Sequence, residues 1–172
     1  MRELLMSLLL VLIGAGCASG DGTASAASEW GLDGVMVPTS QDEVNVVFLA
    51  MPAELEGMTA ERDDPEHVGF VHYVGADAEM GVSWQELAPN RALAVELLEE
   101  IDQADEFSTT AKDLDSESGP VLLQGAVDDN APETHMLYWG DPSDGWVFFF
   151  TAETAEQLDS LVEAFVAAAG TG

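Results

Sequence analysis

The sequence predicts an α+β domain, an antiparallel sheet of about five to six strands with two to three helices packed mainly on one face. Three observations predict it. Short β-branched and aromatic runs recur between turn residues, as in VGFVHYVG, VLLQGAV and GWVFFFTA. Two longer stretches, Arg91–Asp102 and the chain end after Thr154, carry apolar residues at helical spacing. The connections between runs are short, which favours antiparallel neighbours over crossover units.

In chain order, Ser40 to Glu43 has capping-box spacing, and Val44, Val47, Phe48 and Met51 follow at helical intervals until Pro52 stops the run. The stretch VNVVFLAM also reads as a buried strand, with helix preferred. Pro52 to Gly57 reads as a short helical turn closed by glycine. Val68–Gly75 and Met80–Leu87, joined by Ala76–Glu79, form a hairpin. Asn90 is the N-cap of Arg91–Asp102, with Leu93, Leu97, Leu98 and Ile101 on the packed face and Glu96, Glu99 and Glu100 in water. Strands are expected at Phe107–Asp113, Val121–Val127, Thr134–Gly140 and Gly145–Ala152, the last two joined by the turn residues Asp141 to Gly145. A capping box at Thr154–Gln157 opens a final helix with Leu158, Leu161, Val162, Phe165, Val166 and Ala169 on one stripe, ended by Gly170.

Composition narrows the partners. The 172 residues hold 33 Asp+Glu against 4 Lys+Arg, a net charge of -29, with 47% hydrophobic residues and one Cys. Nucleic acid and anionic headgroups are excluded, because binding to phosphate rests on Lys and Arg displacing counterions. The acids are dispersed in pairs such as Asp63/Asp64, Glu99/Glu100 and Asp128/Asp129, which is a solvated surface and not a tail. Such a surface, nearly free of Lys, resembles those of proteins from halophilic organisms.

The first residues, MRELLMSLLLVLIGAGCASG, run from Arg2 through an apolar stretch, Leu4 to Ile13, to small residues and Cys17. That is the order of an export signal, and it is shorter than the ~20 apolar residues a membrane-spanning helix needs. Ile13, Gly14, Ala15, Gly16 and Cys17 resemble the lipobox of bacterial lipoproteins, with Gly14 standing where Leu is more common. The resemblance implies a diacylglycerol on the Cys17 thiol and cleavage that leaves Cys17 as the new N-terminus. Ordinary secretion with cleavage after Gly20 is the alternative, and an uncleaved anchor or a buried segment is a third. Residues 1–16 are thus the signal, 17–29 the lipidated cysteine and a flexible tether, 30–169 one domain and 170–172 a tail. Losing residues 1–16 removes one acid, Glu3, and one base, Arg2, so the charge stays with the domain, whose bases are Arg62, Arg91 and Lys112. With its only thiol in the leader, the domain folds without a disulfide. The order of hairpin, helix, three strands and terminal helix loosely resembles the PsbP/Mog1-like lipoprotein domains and several uncharacterised actinobacterial envelope domains, over roughly residues 30–169. That resemblance is topological and carries no functional residues over.

No phosphate-binding glycine loop, nucleophile elbow, paired-His zinc helix or Cys cluster is present, and no cofactor is implied. His67 and His72 flank a strand from opposite faces. His72 and His135 could meet across the sheet, with Met80 or Met136 beside them. Asp113, Asp115 and Glu117 alternate like a calcium loop, but Ser118 and Gln124 stand where glycine and a bidentate Glu are needed. Asp128, His135 and Asp141 are the candidate metal ligands, with Asp129 and Asp144 near them at one rim. On the last strand Phe148 and Phe150 face one side, Val147 and Phe149 the other. Either helices cover both faces or one face binds something. Trp139, Trp146, Phe148 and Phe150 are therefore the candidate ligand residues. The expected function is a lipid-anchored, extracytoplasmic binding or accessory domain, held to the membrane through Cys17 and meeting an envelope protein or a small apolar ligand. The alternatives are an Asp/His-based cation-dependent enzyme and a structural envelope protein without ligand; free secretion is the second choice of location.

If self-repulsion of the acidic surface opposes folding, screening should relieve it, since the Debye length falls from ~8 Å at physiological ionic strength to ~3 Å at molar salt. The melting temperature is expected to keep rising with KCl well beyond the ~0.15 M of physiological solution. A flat or falling calorimetric response would remove the halophile-like reading.

Overall fold

The computed structural model describes residues 26–63, 69–114, 117–127 and 133–170. Its helices are α1 (Ala26–Glu29), α2 (Gln41–Ala50), α3 (Arg91–Asp102) and α4 (Ala155–Ala169), with single 3-10 turns at Leu32–Gly34 and Pro142–Asp144. The strands are β1 (Glu54–Leu55), β2 (Met58–Arg62), β3 (Phe70–Val74), β4 (Glu79–Glu86), β5 (Phe107–Asp113), β6 (Val121–Val127), β7 (Thr134–Gly140) and β8 (Trp146–Ala152). They form one antiparallel sheet in the order β1-β2-β3-β4-β8-β7-β6-β5. The chain meanders from β1 to β4, crosses through α3 to the far edge, and meanders back until β8 pairs with β4.

The α+β class and the antiparallel sheet agree with the sequence reading, but the sheet has eight strands where five to six were expected. The two additions come from one local misreading. Pro52 to Gly57 is not a turn of helix. Glu56 and Gly57 both take positive φ, 51° and 77°, and close a two-residue loop between paired Leu55 and Met58. Two positive φ values in sequence are what such a hairpin turn requires. β2, MTAER, alternates between covered and exposed residues but is too charged to read as a strand. Val44 to Met51, open to two readings, is helical as far as Ala50, with Met51 as the extended residue that caps it.

The predicted caps form. Ser40 Oγ accepts from Glu43 N, Asn90 Oδ1 from Leu93 N and Thr154 Oγ1 from Gln157 N. The Glu43 carboxylate also accepts from the Thr39 amide at 2.8 Å, and that bond holds its pKa below the usual value. On α3 the buried stripe is Ala94 and Leu98, flanked by Val95 and Ile101, whereas the expected Leu93 is exposed. Ala26–Glu29, within the segment expected as tether, forms a helical turn, and Ala27 packs against the core.

The period of two in the strands sorts side chains onto two faces. Register places Val82, Phe150 and Leu137 in one row and Trp84, Phe148 and Trp139 in the next. α2 and α4 cover this face. Phe165 of α4 meets Phe148 at 4.9 Å, Phe150 at 5.2 Å, Trp139 at 5.8 Å and Phe48 of α2 at 6.5 Å between ring centroids. The opposite face carries Val121, Leu123, Tyr138 and Val147, and α3 covers it with Leu98. One helix therefore sits across the sheet from the other two, because β8 is apolar on both sides.

Polar bonds fix the seams. The Arg62 guanidinium donates to the carbonyls of Phe48 and Met51 at 3.1 and 2.7 Å, satisfying carbonyls at the end of α2 that have no partner within the helix. Tyr73 donates to Pro52 O at 2.8 Å, and Trp30 Nε1 to Asp159 on α4 at 2.9 Å. Gly145 takes φ 83°, and a Cβ there would lie 1.6 Å from the Ala88 carbonyl oxygen, so only glycine brings the β7–β8 turn against the start of α3.

Two measurements follow from this packing. Replacing Phe165 with Ala removes the ring common to four aromatic contacts and is expected to cost about 3–5 kcal/mol in chemical denaturation; a loss under ~1 kcal/mol would contradict the packing described. Tyr73 and Tyr138, the protein's two tyrosines, are both raised in pKa by burial, with Arg62 opposing the shift at Tyr73. A raised folded-state pKa means that their contribution is complete below the unfolded value of ~10 and is lost as pH rises through the folded values. Ultraviolet titration should therefore show tyrosinate appearing above pH ~10 and together with alkaline unfolding; ionisation near pH ~10 in the folded protein would contradict it.

Candidate binding surfaces

The aromatic residues proposed from sequence divide. Trp139, Phe148 and Phe150 are at most 1% exposed and lie beneath α2 and α4, so their face of the sheet is core and not an open groove. Trp146 is half-buried at the rim, its ring centroid 4.3 Å from that of Trp84.

The candidate metal ligands do not converge. Asp128 lies outside the described residues, as do Cys17, His67, Asp115 and Asp129. His135 is the second residue of β7 and Asp141 follows its end, about 20 Å apart at the rise of an extended strand. Asp141 Oδ1 accepts from Arg91 at 3.0 Å and from the amide and hydroxyl of Ser143 at 3.1 and 2.6 Å, which is the work of a turn cap. His135 Nε2 stands 3.9 Å from Glu133. His72 and His135 project to opposite faces, since His135 pairs with Ala152 of the α4-covered face while His72 alternates with the buried Val71 and Tyr73. Among the described residues no three His, Cys, Asp or Glu side chains are placed to hold a metal ion.

What the fold leaves open is half of the second face. α3 packs over β5 and β6 and its core extends to Val147 of β8, so the part formed by β3, β4 and the Phe149–Thr151 end of β8 has no helix above it among the described residues. Phe70 and Val74 remain 38% and 37% exposed there. Phe70, His72, Gly81, Ser83, Phe149 and Thr151 line a shallow groove of about 300 Å³. Gly81 forms its floor. A Cβ at this position would stand 3.1 Å from the Val71 carbonyl oxygen and 3.2 Å from the His72 ring, which lies across it. The His72 Nε2 is 3.5 Å from the Glu79 carboxylate, an ion pair when the imidazole is protonated. The groove is continuous with the α3 core, because Phe149 stacks on Tyr138 at 4.5 Å. With Glu61 opposite His72 on β2 and Glu79 on β4, its rim is acidic.

Two smaller depressions lie on the α2 side. Trp84, Trp146, Asp144 and the Pro38–Thr39 segment bound a cleft of about 140 Å³ at the sheet end. Met36, Val46 and Val47 with Ala168 and Ala169 bound an apolar one of about 150 Å³ between α2 and the end of α4.

Sequence reasoning named His72 and Phe149 but missed Phe70, Val74 and Gly81 as parts of one surface. The alternation of Phe70, His72 and Val74 along β3 carried the signal; which helix would leave that stripe bare did not show in it. No helix among the described residues is long and apolar enough to cross a membrane. Compared with protein-family models, curated proteins and solved structures, the chain gives no match.

Proposed function

We propose that this protein is a binding module displayed outside the cytoplasmic membrane on a lipid carried by Cys17, and that it holds a cationic, partly apolar segment of an envelope protein on the open half of its sheet. The observation that carries the reading is the groove over β3, β4 and β8, which Phe70 lines and beside which Val74 of the same strand faces solvent, although the sheet continues into a covered core. Apolar patches that a fold leaves uncovered mark interaction sites. Charge selects the occupant. A domain at -29, with Glu61 and Glu79 beside the groove, repels acidic partners and copies of itself and steers basic ones.

The leader supports the anchor. One thiol, placed where the lipobox resemblance puts an acyl acceptor, is enough to hold a folded domain, since acyl chains bind at ~0.8 kcal/mol per buried methylene. The chemistry is recognition without turnover: strands fix the apolar side chains in register, and the acidic rim supplies attraction.

The test is fractionation combined with site-specific photo-crosslinking in the host. Wild type is expected in the membrane fraction and Cys17→Ala in the soluble extracytoplasmic fraction. A crosslinker at Phe70 should give a discrete adduct that weakens when ionic strength is raised to ~1 M, and one at the exposed Leu93 of α3 should not. Membrane association unchanged in Cys17→Ala would refute the anchor. Equal adducts at both positions would refute the surface.

A further inference from the structure

We propose that the cleft at the sheet end, between Trp84, Trp146 and Asp144, is a site for a small quaternary ammonium compound, independent of the groove on the opposite face. The two indoles come from neighbouring strands: Trp84 pairs with Phe148 and Glu86 with Trp146, which sets the rings diagonally at 4.3 Å and 33°. They project on the same side as Phe148 but at the end of the sheet, where both stay half-buried. Pro38 and Thr39, leading into the cap of α2, form the facing wall.

The two indoles touch each other, Trp84 also rests on the core, and both line the cleft. An indole face is the strongest aromatic partner for an organic cation, and quaternary ammonium groups are recognised in this way because they have no protons to donate. The volume of about 140 Å³ matches a compact group, close to the ~150 Å³ cavity that accepts a benzene-sized ligand.

Charge distinguishes a cation from a neutral guest. Asp141 is neutralised by Arg91 at 3.0 Å and held by Ser143. Asp144 is exposed at the same cleft, and no ion pair or hydrogen bond of its side chain occurs among the described residues. The cleft therefore keeps one net negative charge beside two aromatic rings, in the field of a domain at -29. Apolar walls with one convergent charge are the usual make-up of a small-molecule site.

The probe is choline, followed through the indole N–H resonances of the intact protein at constant ionic strength. Its neutral isostere 3,3-dimethylbutan-1-ol and sodium chloride serve as comparisons. Saturable shifts of the Trp84 and Trp146 signals are expected, with the buried Trp139 unmoved. The isostere should bind about tenfold more weakly and Asp144→Asn about three- to tenfold more weakly, the range a cation–π contact with a nearby carboxylate spans. Trp146→Phe, which keeps an aromatic ring and the fold, should weaken binding about threefold. Equal affinity for choline and its isostere would overturn the assignment to a cation. Shifts that sodium chloride reproduces, or no saturable shift at all, would overturn the site.

Discussion

The packing of Phe165 against the β7–β8 pair is the interaction on which the rest of the structure depends. One ring of α4 touches Phe148, Phe150 and Trp139 on the sheet and Phe48 on α2, so a single side chain joins both helices of the covered face to the sheet. β8 is the strand that completes the sheet, pairing with β4 on one side and β7 on the other. Anchoring α4 there holds the two meanders together. With no disulfide available to the domain and a surface charge that opposes compaction, the aromatic core has to supply this cohesion.

Closing that face has a geometric consequence for the other one. The crossover through α3 spans from β4 to the far edge, and α3 settles where Leu98 meets Val121, Leu123, Tyr138 and Val147. It lies over the later strands, and the earlier meander receives no helix of its own on that side among the described residues. The bare stripe of β3 is a product of this connectivity. The acidic surface then gives the stripe a sign, which is why the proposed partner is basic. At the sheet end the same connectivity brings the β7–β8 turn beside Pro38 and Thr39, and the two indoles meet there.

Much of the fold was legible because local chemistry agreed with global placement. Asn90 and Thr154 cap the helices they were expected to cap, β6 and β7 follow their apolar runs, and the more polar β5 has the limits expected of it. The failures lie where local signals were weak or where coverage decided. Leu55 and Met58 flank a turn whose Glu56 is a poor advertisement for positive φ, so the hairpin was hidden. Leu93 looked like a core residue because Leu is apolar, yet the buried line on α3 runs through Ala94, a small residue that lets the helix approach the sheet. Trp139, Phe148 and Phe150 suited a core, the preferred reading, but left a groove open until α4 was placed over them. The candidate surface was the least legible part, since exposure of Phe70 follows from where α3 does not reach.

Carbene footprinting of the folded protein, read residue by residue by mass spectrometry, tests the central claim most directly. The account predicts strong labelling at Phe70, His72 and Val74 and protection of Trp139, Phe148, Phe150 and Phe165. Labelling of Trp139 and Phe148 with protection of Phe70 would contradict it, because the binding face and the core would then be exchanged.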